Sequence, residues 1–213
     1  MKTALVVGAS NYNIKYIERI ASQYDYIVAC DKGAEAFLNA ELTPNIIVGD
    51  FDSVDQSKLA QLKEKGISIK EYEIEKDFSD LELALIEVKD YDKIDFTGVL
   101  GGSISHELVN INVISRLKSI GKKTTIRENT TRIEFLNDGE VIKLPKGLKV
   151  SIVPFEDLKS NISLIGFRWN LDRHNVSKYR SLTLSNYTVD TAYIKNEGAM
   201  IMVIIEPIGL KTR

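Results

Sequence analysis

The chain has 213 residues, of which 44% are hydrophobic and 27% charged, a composition typical of globular proteins and outside the range of disordered or collagen-like chains. Its formal net charge of −2 disfavours a protein that binds nucleic acid or an anionic membrane. The single cysteine, Cys30, excludes an internal disulfide and agrees with a reducing compartment. The apolar run 199–205 is far shorter than a bilayer span, and no secretory signal is evident. We therefore expect a soluble, cytoplasmic protein.

Residues 3–127 alternate between short apolar runs and segments with helical hydrophobic period. The predicted strands are 4–7, 26–30, 45–48, 68–72, 94–97 and 124–127, and the predicted helices are 13–23, 34–39, 55–65, 79–89 and 106–120. This alternation is typical of α/β domains. We predict a Rossmann-like domain over residues 1–128, with a mostly parallel sheet and helices on both faces.

Beyond residue 128 the helical period disappears and strand patterns take over. The predicted strands are 133–136, 141–144, 149–153, 162–165, 181–184, 188–194 and 200–205. The segment 137–139 (NDG) between the first two predicts a hairpin turn. The net charge also changes, from −5 over residues 1–128 to +3 over residues 129–213. We predict a smaller all-β sandwich domain over residues 129–213.

Acidic side chains follow three of the predicted strands. Open α/β sheets bind ligands at the carboxyl ends of their strands, so these positions matter most for function. They are Asp31 after the second strand, Asp50 and Asp52 after the third, and Asp77 and Asp80 beside Lys76 after the fourth. In extended geometry Asp50 and Asp52 share one side of the chain, with Phe51 facing the core. Carboxylates held close together repel unless a cation lies between them, and Mg²⁺ with substrate phosphates suits such oxygen ligands.

Helix capping is the alternative role for some of these side chains. The segments 53–56 (SVDQ) and 79–82 (SDLE) both match a capping box, and helix dipoles stabilise carboxylates in the first turn. Capping explains Asp55. For Asp80, both helix capping and a role in a functional site stay open. It does not explain Asp50, Asp52 and Asp77 together, which favours a functional site.

Glycines follow the fifth predicted strand, at 98–103 (GVLGGS), where bare backbone amides and a helix N-terminus can bind an anion. Paired glycines alone are weak evidence, and the chain lacks a P-loop and a complete dinucleotide fingerprint. Two histidines and one cysteine disfavour a zinc site, and the nucleophile elbow of serine hydrolases is incomplete.

These segments, in this order, resemble the thiamine pyrophosphokinase family over roughly residues 29–205. The most specific pair is GDFDS at 49–53 followed by KDFSD at 76–80. The other matching positions are Asp31, Gly33-Ala34, the segment 44–48, Gly98, Gly101, Gly102, His106, the segment 166–171 (GFRWNL) and Ser185-Asn186.

The resemblance implies an enzyme that transfers the pyrophosphoryl group of ATP to the hydroxyl of thiamine, giving thiamine diphosphate and AMP. It also implies Mg²⁺, a homodimer, a nucleotide-binding and catalytic domain at 1–128, and a thiamine-binding and dimerisation domain at 129–213. Carried over by position, the metal set is Asp31, Asp50, Asp52 and Asp80, and the catalytic set is Asp50, Asp52, Lys76, Asp77 and Asp80. The nucleotide set is Asp31, Gly33, Gly101, Gly102, Ser103 and His106. The thiamine set is Ser185, Asn186 and Trp169, although a core aromatic is an equally good interpretation of Trp169.

One departure from the family concerns the segment after the glycine pair. The family pattern is G-G-R-x-D-H, whereas Ser103 and Ser105 replace the arginine and the aspartate here. A phosphate-binding arginine is worth roughly 10³-fold or more in related phosphoryl transfers. The serines can cap the following helix and bind a phosphate weakly. We hypothesise that Lys123, Arg127 or Arg132 supplies the missing positive charge.

Two other functions stay open from the sequence alone. The segment 50–54 (DFDSV) matches the D-x-D-x-V motif of haloacid-dehalogenase-like phosphatases, with Asp50 as nucleophile and Asp52 as acid/base. That motif normally follows the first strand, whereas here it follows the third. The replacement of the family's arginine and aspartate also motivates a degenerate protein that binds thiamine or nucleotide without catalysis.

Overall fold

The structure is a computed structural model that describes residues 1–38, 40, 42–52, 54–73, 78–155 and 159–208. The chain divides into two compact units, Met1–Asn129 and Thr130–Arg213. This division falls one residue after the position at which the hydrophobic period changes. Three residues of the predicted motifs, Ser53, Lys76 and Asp77, lie outside the described part of the chain.

The first unit has a parallel sheet and helices. Its described strands are β1 (Thr3–Val7), β2 (Tyr26–Cys30), β3 (Ile46–Gly49), β4 (Ser68–Glu71), β5 (Lys93–Thr97) and β6 (Lys123–Arg127). Its helices are α1 (Ile14–Ala21), α2 (Gln56–Glu64), α3 (Asp80–Glu87) and α4 (Ile104–Ser119), and Asp31–Phe37 forms a 3-10 helix. The strand order is β6-β5-β1-β2-β3-β4, and all described pairs in it are parallel.

Both faces of this sheet are covered, which is why its central strands are apolar at consecutive positions. On one face Leu5, Ile27 and Ile47 join a hydrophobic core that also contains buried residues of α1 and α2. Helix α3 packs against β2 and β3, and its buried residues Leu81 and Ala84 lie outside that core. The helices therefore lie on both sides of the sheet, and the carboxyl ends of all six strands lie along one edge.

The second unit is built from antiparallel strands. They are β7 (Arg132–Leu136), β8 (Val141–Leu144), β9 (Leu148–Pro154), β10 (Ser160–Phe167), β11 (Leu171–Val176), β12 (Asn186–Gly198) and β13 (Ile201–Pro207). The long strand β12 pairs with β9 at its start and with β8 and β10 further along, so it belongs to two sheets. Both sheets contribute to one core, which includes Ile152, Ile162, Ile194 and Val203.

The predicted α/β class is confirmed as a mixed α/β fold. Among the described strand pairs of the whole chain, six are antiparallel and five are parallel. A mostly parallel sheet therefore describes the first unit and not the chain. In the part of the chain that the structure describes, no helix has both the length and the apolar character needed to cross a bilayer.

Three predictions about the second unit were wrong. The NDG segment does form a turn, in which Gly139 has φ 74°, but β7 pairs with β13 and β8 pairs with β12, so these strands do not form a hairpin. Residues 181–184 form turns, although their apolar residues favoured a strand. Strand β11 was missed because four consecutive polar residues, 172–175, hide its pattern at an exposed sheet edge.

Helix starts in the first unit follow local capping. Asp55 caps α2, accepting a hydrogen bond from the Ser57 amide at 2.8 Å, which confirms its predicted capping role. Ser53, the first residue of the predicted capping box, lies outside the described residues. Ser79 and Glu82 form the predicted capping box of α3. Ser103 caps α4, which begins at Ile104, two residues before the predicted start.

A buried charged group joins the strands of the first unit. The Asp95 side chain on β5 is 1% exposed, and its Oδ2 accepts a hydrogen bond from the Tyr24 hydroxyl at 2.6 Å. The same oxygen lies 3.1 Å from Lys93 Nζ and 3.4 Å from Arg127 Nη1. A buried carboxylate is tolerated only when it is paired and hydrogen-bonded, so these partners are required for stability.

We predict that Tyr24→Phe lowers the free energy of unfolding by about 1.5–3 kcal/mol, because a hydrogen bond to a buried charged group is lost. Urea unfolding with an unchanged m-value measures the loss. Tyr26→Phe is the matched control, since the Tyr26 hydroxyl has no hydrogen bond among the described residues, and we expect a change within about 0.5 kcal/mol. Equal losses in the two variants would contradict the role assigned to the Tyr24 hydroxyl.

Candidate functional site

Three carboxylates meet at the carboxyl edge of the parallel sheet. Asp31 directly follows β2, and Asp50 directly follows β3, its neighbour in the sheet. Asp52 lies two residues further on, and one carboxylate oxygen from each of the three residues lies within 4.8 Å of the others. The fold therefore brings together side chains that are about 20 positions apart in the chain, a grouping that the family resemblance implied.

The backbone at this cluster is left-handed at two residues that are not glycine. Asp31 has φ 42° and Phe51 has φ 57°, whereas the sequence predicted extended geometry between Asp50 and Asp52. The extended conformation was wrong, because the chain turns at Phe51 and the Asp52 amide donates to Asp50 Oδ1 at 3.3 Å. Phe51 is 2% exposed, as predicted for a core-facing residue. Left-handed residues of this kind cost about 1–3 kcal/mol and concentrate at functional sites.

The three carboxylates differ in their exposure to solvent. Asp31 is buried, Asp50 is half-buried and Asp52 is exposed. Like charges at this separation repel, and a divalent cation relieves that repulsion. Oxygen ligands from a small number of carboxylates suit Mg²⁺, which retains waters and takes substrate phosphates as further ligands. The residues present therefore fit a magnesium ion.

Asp80 lies near this cluster but is not one of the three grouped carboxylates. It is the first residue of α3, where the helix dipole stabilises a carboxylate. Burial raises the pKa of the Cys30 thiol, and the nearby charges of Asp80 and Asp31 raise it further. Of the four predicted metal ligands, the structure groups Asp31, Asp50 and Asp52, and Asp80 at the start of α3 is not part of that group.

Three backbone amides of the glycine segment after β5 are bound by side chains of the protein, whereas the sequence predicted bare amides. Gly98 and Val99 each donate a backbone N–H to the Glu128 carboxylate at 3.1 Å. Gly101 donates its backbone N–H to Glu107 Oε1 at 2.6 Å. Two carboxylates of the chain itself therefore occupy positions where an anionic ligand was expected.

The loop after β1, residues 8–13, packs directly against this glycine segment. The Ser10 amide donates to the Gly98 carbonyl at 2.8 Å. A Cβ on Gly98, which has φ 67°, would lie 2.8 Å from the Gly8 carbonyl oxygen, and one on Gly33 would lie 2.4 Å from the same oxygen. Gly33 and Gly98 therefore allow three loops to meet closely at the sheet edge. Sequence reasoning missed this loop, although its composition (GASNYN) and its place after a strand were available signals.

The residues after the glycine pair form the start of α4. The Ser103 hydroxyl accepts a hydrogen bond from the His106 amide at 3.4 Å and lies 3.1 Å from the Ser105 hydroxyl. Both serines and His106 are exposed. The predicted capping role of Ser103 is thus present.

The structure gives little support to the residues suggested as replacements for the family's arginine. Arg127 pairs with the buried Asp95 and donates to the Tyr24 hydroxyl at 3.1 Å. Lys123 is the first residue of β6 and therefore lies at the amino ends of the parallel strands, whereas Asp50 lies at their carboxyl ends. Arg132 begins β7 in the second unit, with its Nε 3.4 Å from Glu134.

The three residues predicted to contact thiamine are neighbours in the second unit. The Asn186 side chain accepts a hydrogen bond from the Trp169 amide at 3.3 Å and donates one to the Trp169 carbonyl at 2.8 Å. Asn186 is buried, whereas Trp169 is 54% exposed, so the core interpretation of Trp169 was wrong. Ser185 has a left-handed φ of 58°, and its amide donates to the Ser151 hydroxyl at 3.0 Å. The buried asparagine thus holds the backbone of an exposed indole.

Comparison with known proteins points to one family. Residues 17–126 match the model for the thiamin pyrophosphokinase catalytic domain, and residues 137–201 match the model for the thiamin pyrophosphokinase vitamin B1 binding domain. A relative from Bacillus subtilis, a thiamine pyrophosphokinase, is 26% identical over 95% of this chain and 98% of its own length.

Solved structures share the fold. The crystal structure of thiamine pyrophosphokinase from Bacillus subtilis has a TM-score of 0.84 at 20% identity, covering 97% of this chain and 99% of that one. The structure of thiamin pyrophosphokinase from Candida albicans has a TM-score of 0.83 at 16% identity, covering 97% of this chain and 89% of that one. Because family models match most of its length in the expected order, the chain belongs to the thiamin pyrophosphokinase family.

Proposed function

We propose that the chain is a magnesium-dependent enzyme that transfers the pyrophosphoryl group of ATP to the hydroxyl of thiamine, releasing AMP. The observation that carries this proposal is the meeting of Asp31, Asp50 and Asp52, each with a carboxylate oxygen within 4.8 Å of the others, at the carboxyl ends of the parallel strands of the first unit. Transfer of this kind asks the protein for positioning and charge neutralisation more than for covalent chemistry. A carboxylate cluster that holds a cation against phosphate oxygens supplies both.

The catalytic roles are assigned around this cluster. Asp31, Asp50 and Asp52 hold Mg²⁺, which when bound neutralises charge on the phosphates. Asp80, the first residue of α3, is proposed as a further ligand of the metal and phosphates, and Asp77 and Lys76 belong to the same motif in the sequence. Further nucleotide contacts come from the loops at this edge and from the start of α4, namely Gly33, Gly101, Gly102, Ser103 and His106.

Thiamine binding is assigned to the second unit. Trp169 offers an exposed aromatic side chain, and the guanidinium carbon Cζ of Arg168 lies 4.9 Å from the centroid of its ring. Ser185 and Asn186 lie beside Trp169, with Asn186 fixing the Trp169 backbone. We further propose a homodimer, as the family resemblance implies. We place the protein in the cytoplasm, where its free, buried Cys30 thiol is expected to stay reduced.

The other two functions are disfavoured. The D-x-D motif at Asp50 follows β3, the third strand in the chain, whereas phosphatases with an aspartate nucleophile normally carry it after the first. The non-catalytic alternative rests on Ser103 and Ser105. It predicts binding of thiamine without release of AMP, which the next experiment detects.

We expect AMP release on mixing the protein with Mg-ATP and thiamine, and a requirement for all three components. Chromatography of the nucleotides measures it. Thiamine monophosphate is the control substrate, because its hydroxyl is already esterified. Release of inorganic phosphate from phosphate esters without ATP would support the phosphatase instead, and thiamine binding without AMP would support the degenerate protein.

We predict that Asp52→Asn lowers metal-dependent turnover by at least about a hundredfold, because a preorganised charge at the phosphates is lost. Initial rates across a Mg²⁺ titration measure the effect. Asp55→Asn is the matched control, since asparagine caps a helix as well as aspartate does, and its turnover should stay within about twofold. Full activity of the folded Asp52→Asn protein would contradict the metal assignment.

We predict that Asn186→Ala raises the KM for thiamine by about tenfold and leaves the KM for ATP unchanged. The substitution leaves two backbone groups of Trp169 without their side-chain partner, at a cost of about 1–3 kcal/mol. Asn175→Ala, at an exposed asparagine of β11, controls for loss of an amide side chain in the same unit. A similar change in both KM values would mean a general loss of folding and would reject the specific role.

A further inference from the structure

We infer that Glu128 is a positioning residue of the nucleotide site, whose carboxylate holds the glycine segment after β5 in the conformation that nucleotide binding uses. The inference rests on the proposed function, because it concerns how well ATP is bound. Glu128 lies outside the motifs on which the family resemblance rests, and it directly follows β6, the neighbour of β5.

The carboxylate of Glu128 binds the turn that leaves β5. Its Oε2 accepts hydrogen bonds from the Gly98 amide at 3.1 Å and from the Thr97 hydroxyl at 3.2 Å. Its Oε1 accepts one from the Val99 amide at 3.1 Å. One side chain therefore binds backbone or hydroxyl groups of three consecutive residues.

The carbonyl groups of the same turn are bound from other directions. The Asn11 amide donates to the Leu100 carbonyl at 3.3 Å, and the Asn110 side chain of α4 donates to the Val99 carbonyl at 2.9 Å. With the bond from Ser10 to Gly98, the turn is held on its carbonyl side by loop 8–13 and α4, and on its amide side by Glu128. The turn continues into Gly101, Gly102 and the cap of α4, the segment proposed to contact phosphate.

A carboxylate suits this position because every group it meets is a donor. Burial raises the pKa of Glu128, while the amide and hydroxyl hydrogen bonds oppose that rise by stabilising the charged form. Hydrogen bonds to a charged acceptor are stronger and shorter than neutral ones. A glutamine would turn an NH₂ group toward backbone N–H donors, so at least one of them would lose its partner.

The test compares Glu128→Gln with Glu140→Gln in the full-length protein. Glu140 also accepts a backbone N–H, from Asn137 at 2.9 Å, but in a turn of the second unit. Hydrogen exchange of the backbone amides over residues 96–103, followed by mass spectrometry, reports on the turn directly. Calorimetry with Mg²⁺ and a non-hydrolysable ATP analogue reports on nucleotide binding, and KM values for ATP and thiamine report on turnover.

For Glu128→Gln we expect hydrogen exchange over residues 96–103 to be at least about tenfold faster. We expect the Kd for the ATP analogue to rise about tenfold, equivalent to about 1.4 kcal/mol of binding free energy, and the KM for ATP to rise by the same factor. The KM for thiamine should stay unchanged, as should every value for Glu140→Gln. Thr97→Val keeps the side-chain shape and removes one donor. We expect about threefold effects in the same direction, which keeps the test available if the glutamine variant does not fold.

Wild-type exchange and wild-type ATP affinity in a folded Glu128→Gln or Thr97→Val protein would overturn the inference. So would equal losses in Glu128→Gln and Glu140→Gln, or parallel rises in both KM values. Exchange and analogue binding do not depend on AMP formation. A wild-type protein that binds ATP but releases no AMP would therefore reject the proposed reaction, and exchange and analogue binding in the variants would still decide the role of Glu128.

Discussion

Repulsion between three carboxylates at the end of a parallel sheet is the constraint around which the first unit is organised. Asp31, Asp50 and Asp52 offer oxygens within 4.8 Å of one another, and such an arrangement is stable only when the scaffold enforces it or a cation relieves it. Parallel pairing of β2 with β3 sets the positions of Asp31 and Asp50. The left-handed conformation of the buried Phe51 turns the chain so that Asp52 joins them. Packing of one aromatic ring thus helps to hold a charged site.

The glycine segment after β5 shows a second use of carboxylates at the same edge. Glu128 and Glu107 accept backbone N–H groups that sequence reasoning left open for an external anion. Buried donors need partners, and a fixed side chain holds a turn in place before any ligand arrives. The amides of Gly98, Val99 and Gly101 are therefore engaged within the protein. Among the residues of this segment proposed to contact the nucleotide, Gly102 and Ser103 are therefore the ones whose amides neither Glu128 nor Glu107 binds.

In the second unit, too, a side chain of the protein holds the backbone of a candidate binding residue. Asn186 is buried and uses its amide to hold both backbone groups of Trp169, while the indole of Trp169 stays exposed. Asn186 is also the first residue of β12, the strand that pairs into both antiparallel sheets. The Asn186 side chain therefore links the backbone of Trp169 to the start of β12.

Much of the fold class and the main site motifs could be predicted from the sequence, because they depend on local pattern. The period of apolar residues located most strands and helices within two residues. The place of each aspartate after a strand marked it as a candidate site residue, and the family resemblance implied that Asp31 and Asp50 belong to one site. Tertiary structure decided what depends on distant partners. The turn at NDG formed, yet β7 and β8 joined β13 and β12 instead of each other. The polar strand β11 formed by pairing with β10 at a sheet edge.

The same division holds at the site. Residue types and spacing indicated carboxylates for a cation, but only packing determined that Phe51 is left-handed, that Asp80 lies outside the group of three, and that Glu128 holds the glycine turn. Asp95, Arg127 and Tyr24, far apart in the chain, are joined in the interior because a buried carboxylate needs partners. Local sequence determines which chemistry is available, whereas burial and long-range hydrogen bonds decide which groups are already engaged and which face a ligand.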